Sequence, residues 1–282
     1  NSEPPVYTVD GLEEKVMASE VYYLPHPDVG YVLTSIAVIN VKNGDLDNEV
    51  YLTGRTNNVF VSQDNIYLTY TKYVNYEEYS KEIAEQVYLP LLSGKYDDKI
   101  KKVLDSNDDD WQKLRKMREI INDYSNELTG EEKSEFSKEL LERLEAFEIK
   151  IQKEKEKTII HKIKVSKMDI EYKENGVVPG HILNQFSMDE YKGNFRIATT
   201  TGSTGRFSSN SLNHLYILNE DLEIIGKVED LAKGESIYSV RFMGKRAYVV
   251  TFKKIDPLFV IDVADPKNPE VLGYLKITGY SD

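Results

Sequence analysis

From Ile237 to Gly279 short apolar runs alternate with Gly, Lys, Asp and Pro punctuation: IYSVRFMG, KRAYVVTFKK, PLFVIDVADP, EVLGYLKITG. Period-two runs rich in Val, Tyr, Phe and Ile, bounded by turn residues, predict four β-strands. The quartet recurs upstream as ILNQFSMD, GNFRIATTTG, NHLYILNED, LEIIGKVED, with Phe195 where Ala247 stands and Leu215–Leu218 where Leu258–Ile261 stands. A third copy opens NNVFVSQ, DNIYLTYTKY, in which Ile66-Tyr67-Leu68 repeats Ala247-Tyr248-Val249, and closes after a long interruption with TIIHKIKVS, MDIEYKENG. Ahead of it EVYYLP, YVLTSIAVINV and NEVYLTG read as the last three strands of an earlier quartet. A polar residue, Asn40, Asn219 or Asp262, ends the third strand in three of these units. A generic sandwich has no reason to repeat that.

Self-similar units of about 40 to 50 residues with four strands each are the signature of propeller blades. The expected fold is therefore all-β, a partial β-propeller of about three to four four-stranded antiparallel blades, with one α-helical insertion. Inside the interruption Leu114, Met117, Ile121, Tyr124 and Leu128 recur at helical spacing, and Phe136, Leu140, Leu144, Phe147 and Ile151 form a second seam. Leu128-Thr129-Gly130 turns between them, which predicts an antiparallel helical hairpin with Thr129 as N-cap. Shorter helices are expected around 77–89 and 97–104, with Pro90 stopping or kinking the first. The domain boundaries follow: propeller strands over 1–75, the helical insertion over 76–157, and the remaining blades over 158–282.

Composition narrows the chemistry. The 282 residues carry a formal charge of −12 and no cysteine. An acidic balance argues against a nucleic-acid partner, which needs clustered Lys and Arg; the absence of thiols excludes disulfides, thiolate metal sites and a Cys nucleophile. The four histidines, His26, His161, His181 and His214, have no metal-ligand spacing, so no metal and no cofactor are expected. Asp105-Ser106-Asn107-Asp108-Asp109-Asp110 imitates a calcium loop but lacks its glycine and closing glutamate; helix capping is the better explanation. No apolar run reaches the length of a membrane span.

The stretches VVPGHILNQFSMDEYKGNFRIATTTG (177–202) and ESIYSVRFMGKRAYVVTFKKIDPLFVIDVADPKNPEVLGYLKITGYSD (235–282) resemble secreted archaeal and bacterial proteins whose β-propeller domain is distantly related to WD repeats. The resemblance is strong over 177–282, weaker over 20–73 and absent across the insertion. It implies a propeller in an extracytoplasmic or cell-surface setting and supplies no catalytic residues. The chain departs from the WD pattern: its single Trp, Trp111, lies in the insertion.

TTTGSTGRFSSN (199–210) invites a phosphate-loop reading, but a strand rather than a helix follows it, so a hairpin connection is expected. Ser203, Thr204 and Arg206 remain candidate contacts for an anion or glycan at its tip. Asn184, Gln185, Asp189, Glu190 and Arg241 are polar residues in or beside the predicted inner strands, where they would line the mouth of an axial channel. Strand alternation places the insertion, the 199–210 loop and the 254–257 loop on one face. The expected function is a non-enzymatic interaction module whose insertion-bearing face meets a protein or glycan; the competing expectation is an enzyme acting on an extracellular polymer with these polar residues at the channel mouth. A third expectation is architectural, with the remainder of the protein's own chain or a second copy completing the ring.

Overall fold

The computed structural model describes residues 6–9, 12–17, 19, 21–23, 30–56, 58–73, 79–203, 210–252 and 256–277. They form two compact units, one comprising 1–73 and 156–282, the other 74–155.

In the first unit three four-stranded antiparallel sheets follow one another, each in simple meander order. The second sheet of the chain is β6 (Asn58–Val61), β7 (Asn65–Tyr73), β8 (Glu156–Ser166) and β9 (Asp169–Pro179). The third is β10 (Met188–Tyr191), β11 (Asn194–Thr201), β12 (Leu212–Leu218) and β13 (Ile224–Leu231). The fourth is β14 (Ser236–Met243), β15 (Arg246–Phe252), β16 (Asp256–Asp262) and β17 (Glu270–Ile277). The register confirms the repeat residue by residue: Ile66 pairs Ile163, Phe195 pairs Leu218 and Ala247 pairs Ile261. In all three sheets a bulge then shifts the third strand against the fourth at the same place, next to Ile163, Leu218 and Ile261. The polar residue closing the third strand has a local task. Asn219 accepts from Glu223 N at 2.8 Å, Asp262 from Ala264 N at 2.8 Å and Asn40 from Lys42 N at 3.0 Å, so each side chain shapes the turn that follows.

The first sheet differs from expectation. It holds β3 (Val21–Tyr23), β4 (Val32–Ile39) and β5 (Leu46–Thr53) in the order β3-β5-β4, and β3 runs parallel to β5 instead of antiparallel to β4. A hairpin of β1 (Val6–Val9) and β2 (Leu12–Lys15) precedes it. Among the described residues the sheets do not close into a ring.

Alternation along each strand sends successive side chains to opposite faces, so each middle sheet fills two cores. Leu68 and Ile163 pack with Ile36 and Tyr51 of the first sheet, whereas Tyr67 and Ile160 pack with Phe195, Ile197, Tyr216 and Leu218 of the third. Ala198, Leu215 and Ile217 of the third pack with Ile237, Val240, Ala247, Val249, Phe259 and Ile261 of the fourth. Faces stacked in this way cannot accept a one-residue slip without exposing a whole apolar set.

The second unit is helical. α1 (Tyr79–Ile83) continues into a π-helical turn, Ala84–Tyr88, and a 3₁₀ turn, Leu89–Leu91, that contains Pro90; α2 is Lys95–Leu104, α3 Asp110–Glu127 and α4 Gly130–Lys155. Both predicted seams are buried in one core, with Met117, Ile121, Phe147 and Ile151 nearly inaccessible. Asp109 caps α3 by accepting from Gln112 N at 2.8 Å, the role expected of that acidic run. Gly130 makes the corner into α4 with φ of 57°, a conformation that favours glycine. No helix among the described residues is long and apolar enough to cross a membrane.

Candidate functional site

The first strands of the second, third and fourth sheets approach one another around a cavity of about 450 Å³ lined by Val59, Phe60, Val61, Gln185, Phe186, Met188, Asp189, Arg241 and Phe242. That volume suits a small ligand or an inserted side chain. The third sheet makes room for it. Its first strand is only four residues, because Gln185–Ser187 form a 3₁₀ turn where a continuous strand is expected from the sequence. Asn184 caps that turn, its Oδ1 accepting from Phe186 N at 2.9 Å, and is thereby occupied structurally. The turn leaves Phe186 51% exposed, and the Arg241 guanidinium lies over its ring with 4.4 Å to the centroid. Arg241 Nη1 also donates to the Val240 carbonyl at 2.7 Å, fixing the side chain over the ring. A cation on an aromatic face beside Val59 and Val61 is an amphipathic platform of the kind that dominates recognition energetics.

Asp189 and Glu190 are neighbours on β10 and point to opposite faces. Asp189 receives two N–H groups of Arg196, from Nε at 2.8 Å and from Nη2. Arg196 is buried, donates through Nη1 to the Gly244 carbonyl at 2.5 Å, and lies between the rings of Tyr191 and Phe242 at 4.8 and 5.1 Å. Gly244 belongs to the turn joining β14 to β15, so this pair ties the third sheet to the fourth. Glu190 faces the second sheet: it accepts from Asn65 Nδ2 at 3.1 Å and from the Tyr67 hydroxyl at 3.0 Å. Burial, and then the Glu190 charge, push the Tyr67 phenol well above its ordinary range. Glu190 also borders a second, polar cavity of about 500 Å³ with Asp64, Asn65, Lys162, Lys164 and Glu220.

The other candidates lie elsewhere. Ser203 follows β11, seven residues beyond the Arg196 that pairs Asp189, or about 20 Å along the strand. Its backbone N–H donates to Asn210 Oδ1 at 3.4 Å. Thr204 and Arg206 lie outside the described residues, as do Lys254 and Ile255. The threonines before this loop serve the architecture. Thr199 Oγ1 donates to the Pro179 carbonyl at 2.7 Å, Thr200 Oγ1 to Asn213 Oδ1 at 2.8 Å, and Thr201 meets His214 Nε2 at 2.9 Å. Glu156, buried at the point where the chain returns from the insertion, accepts from His181 Nδ1 at 2.7 Å and from Gly202 N at 3.0 Å. The insertion and the 203–210 loop therefore leave adjacent sheets at the same end, as strand alternation predicts. On the second sheet the 450 Å³ cavity is bordered by the hairpin end of β6, since Val61 pairs Ile66 beside the β6–β7 turn while the insertion follows Tyr73.

The structure thus brings together Gln185, Asp189 and Arg241, keeps Asn184 beside them as the cap of the turn, and separates Glu190, on the opposite face, and Ser203, beyond β11, from them. Phe186 and Arg196 were not legible as site residues by periodicity. The available signal was an arginine within NFRIATTT, a strand buried along nearly its whole length. His161, His181 and His214 are each engaged with separate neighbours, at Tyr172, Glu156 and Thr201. Among the described residues no cluster of three or more metal-ligating side chains occurs.

Comparison with known proteins agrees with the repeat. An uncharacterised protein of Methanocaldococcus jannaschii is 36% identical over 280 residues, covering 99% of this chain and 41% of the relative. An uncharacterised protein of Archaeoglobus fulgidus is 31% identical over 276 residues, covering 97% of this chain and 43% of the relative. The chain therefore spans less than half the length of each of these relatives. A family profile described as beta propeller domain matches residues 2–282, and the chain, with its successive four-stranded sheets, belongs to that family.

Proposed function

We propose that this segment is a non-enzymatic recognition module whose binding platform is the cavity between β6, the Gln185–Ser187 turn and β14. The observation that carries this reading is the Arg241 guanidinium fixed over an exposed Phe186 ring inside a 450 Å³ cavity edged by Val59 and Val61. The platform suits an apolar side chain flanked by an acceptor or carboxylate, on a polypeptide or a glycan partner. Support for a binding role over a catalytic one comes from the carboxylates. Asp189 is neutralised by Arg196, Glu190 is held by Asn65 and Tyr67, and their opposite facing denies them a common bond to act on. The extracytoplasmic setting is part of the proposal and rests on the likeness of 177–282 to secreted propellers.

Peptide and glycan arrays probed with the purified chain test the reading. Phe186→Ala and Arg241→Ala should each weaken the selected interaction about tenfold or more, while Ser203→Ala, at the other end of the strands, leaves it unchanged. Binding that survives both cavity substitutions, or that is lost with Ser203→Ala instead, overturns the assignment.

A further inference from the structure

On its face turned away from the third sheet, the fourth sheet repeats the devices by which the third sheet holds the fourth. The shared register aligns Val250, Leu258 and Val260 with Ala198, Leu215 and Ile217. The latter three are fully buried between the third and fourth sheets. Val250, Leu258 and Val260 point to the opposite side from Val249, Phe259 and Ile261, which fill that core, and they are only half-buried. Around them Phe252 is 39% and Leu275 60% exposed. An apolar sheet face of this extent, left to water, marks an interaction surface.

Two glycines stand at matching places on the outer strands of the third and fourth sheets. Gly226 pairs Ile217 just before the recurrent bulge, and Gly273 pairs Val260 at the equivalent place. A Cβ on Gly226 would stand 2.1 Å from the Pro266 carbonyl oxygen, because the turn between β16 and β17 presses into the notch that the missing side chain leaves. A Cβ on Gly273 would meet nothing within 4 Å. The notch is built on the fourth sheet as on the third, with no turn in it among the described residues.

We propose that this face seats a further four-stranded sheet of the same protein, with the turn between that sheet's third and fourth strands lying against Gly273. The alternating stack defines the chemistry of the occupant, since each of the two preceding contacts joins one such sheet to the next. Length points to its source: the Methanocaldococcus jannaschii and Archaeoglobus fulgidus relatives carry more than half of their chain outside the matched stretch.

These 282 residues hold no cysteine, so a thiol introduced into them is unique in this chain, and any native cysteine of the complete product is replaced by serine for the test. Val260→Cys, and in parallel Val250→Cys, are introduced into the 282-residue chain and into the complete gene product, with Lys245→Cys in a turn as the exposed control. Labelling by a soluble thiol reagent should be about 100-fold or more slower in the complete product at both face positions, and equal at the control. Equal rates at the face positions in the two forms overturn the proposal. Protection already present in the 282-residue chain, rising with concentration and accompanied by a doubled mass in sedimentation, assigns the face to a second copy and also overturns it. Gly273→Arg gives an independent reading. It should leave the melting temperature of the 282-residue chain unchanged and lower that of the complete product; equal effects in both refute the seat at the notch.

Discussion

Asp189 is the candidate whose role the structure reassigns most sharply, and its substitution separates a clasp from a ligand contact. Its carboxylate is the acid partner of Arg196, whose side chain is 3% exposed while that of Asp189 is 27% exposed. Removing one member of a buried ion pair strands the other charge and costs about 3–5 kcal/mol. Two features place Asp189→Ala near or below the bottom of that range: the partial exposure of Asp189 lets water reach the site, and Arg196 retains the Gly244 carbonyl and two ring faces. The expected loss is about 2–3 kcal/mol, or about 5–10 °C in melting temperature for a unit of this size. Arg196→Met in the Asp189→Ala background removes the stranded charge and keeps much of the packing between Tyr191 and Phe242, so the double variant should recover to within about 1 kcal/mol of the parent. The assay is thermal unfolding followed by near-ultraviolet circular dichroism, with the four proteins of a double-mutant cycle. An Asp189→Ala variant as stable as the parent would refute the clasp. So would a double variant no more stable than Asp189→Ala alone, because the penalty would then not come from the uncompensated guanidinium.

Gly226→Ala, whose Cβ would collide with backbone at Pro266, should cost about 2 kcal/mol or more in chemical denaturation, whereas Gly273→Ala in the same chain should be neutral or slightly stabilising; equal effects would contradict the notch. Raising the pH should destabilise the propeller unit. Burial lifts Tyr172 from 10.0 to about 12 and pushes Tyr51, Tyr67 and Tyr216 higher still, so the folded state holds protons that the unfolded chain releases, and stability is complete below pH 10 and lost as pH climbs through 10 to 12; a flat melting temperature across that window would contradict it. Asp109→Ala should lower helical-unit stability by about 0.5–2 kcal/mol, read as faster amide exchange in the first turn of α3, and unchanged exchange there would remove the capping role.

Much of the fold was legible because a repeat is its own control. Aligning Phe195 with Ala247 predicts that Leu218 aligns with Ile261, and the strand pairing obeys. The polar residue at the end of the third strand is a regularity of the sequence; its reason is a side-chain oxygen that accepts a backbone N–H of the following turn, two residues on at Asp262 and four on at Asn219, a local interaction that sequence can encode. Two features were not legible. β3 is three residues long, too short for its pattern to choose between β4 and β5, and tertiary context chose β5 in parallel. The Gln185–Ser187 turn interrupts what reads as a strand, and it alone creates the exposed Phe186. Site residues were harder still, since a side chain such as Asp189 has the same sequence signature whether it meets a ligand or a buried arginine.

The recurrent bulge, the turn held by the polar residue after the third strand, and a glycine in the outer strand explain how sheets with little sequence identity keep one geometry. The bulge beside Ile163, Leu218 and Ile261 sharpens the twist between the third and outer strands at the same register. In the second and third sheets a glycine of the outer strand admits the next sheet's turn, Gly176 against Leu222 and Gly226 against Pro266; Gly226 pairs Ile217 beside the bulge, and Gly176 pairs Ile160, two residues short of the matching position. Contacts of this kind depend on a missing side chain rather than on the identity of the residues around it, which leaves the apolar residues between sheets free to vary in size. The first strands, by contrast, are released from that constraint at the centre. Their ends can shorten into a turn, as at Gln185, without disturbing the outer notches. Variation is thus structurally cheapest where the three first strands converge, and that is where the structure builds the Phe186–Arg241 platform.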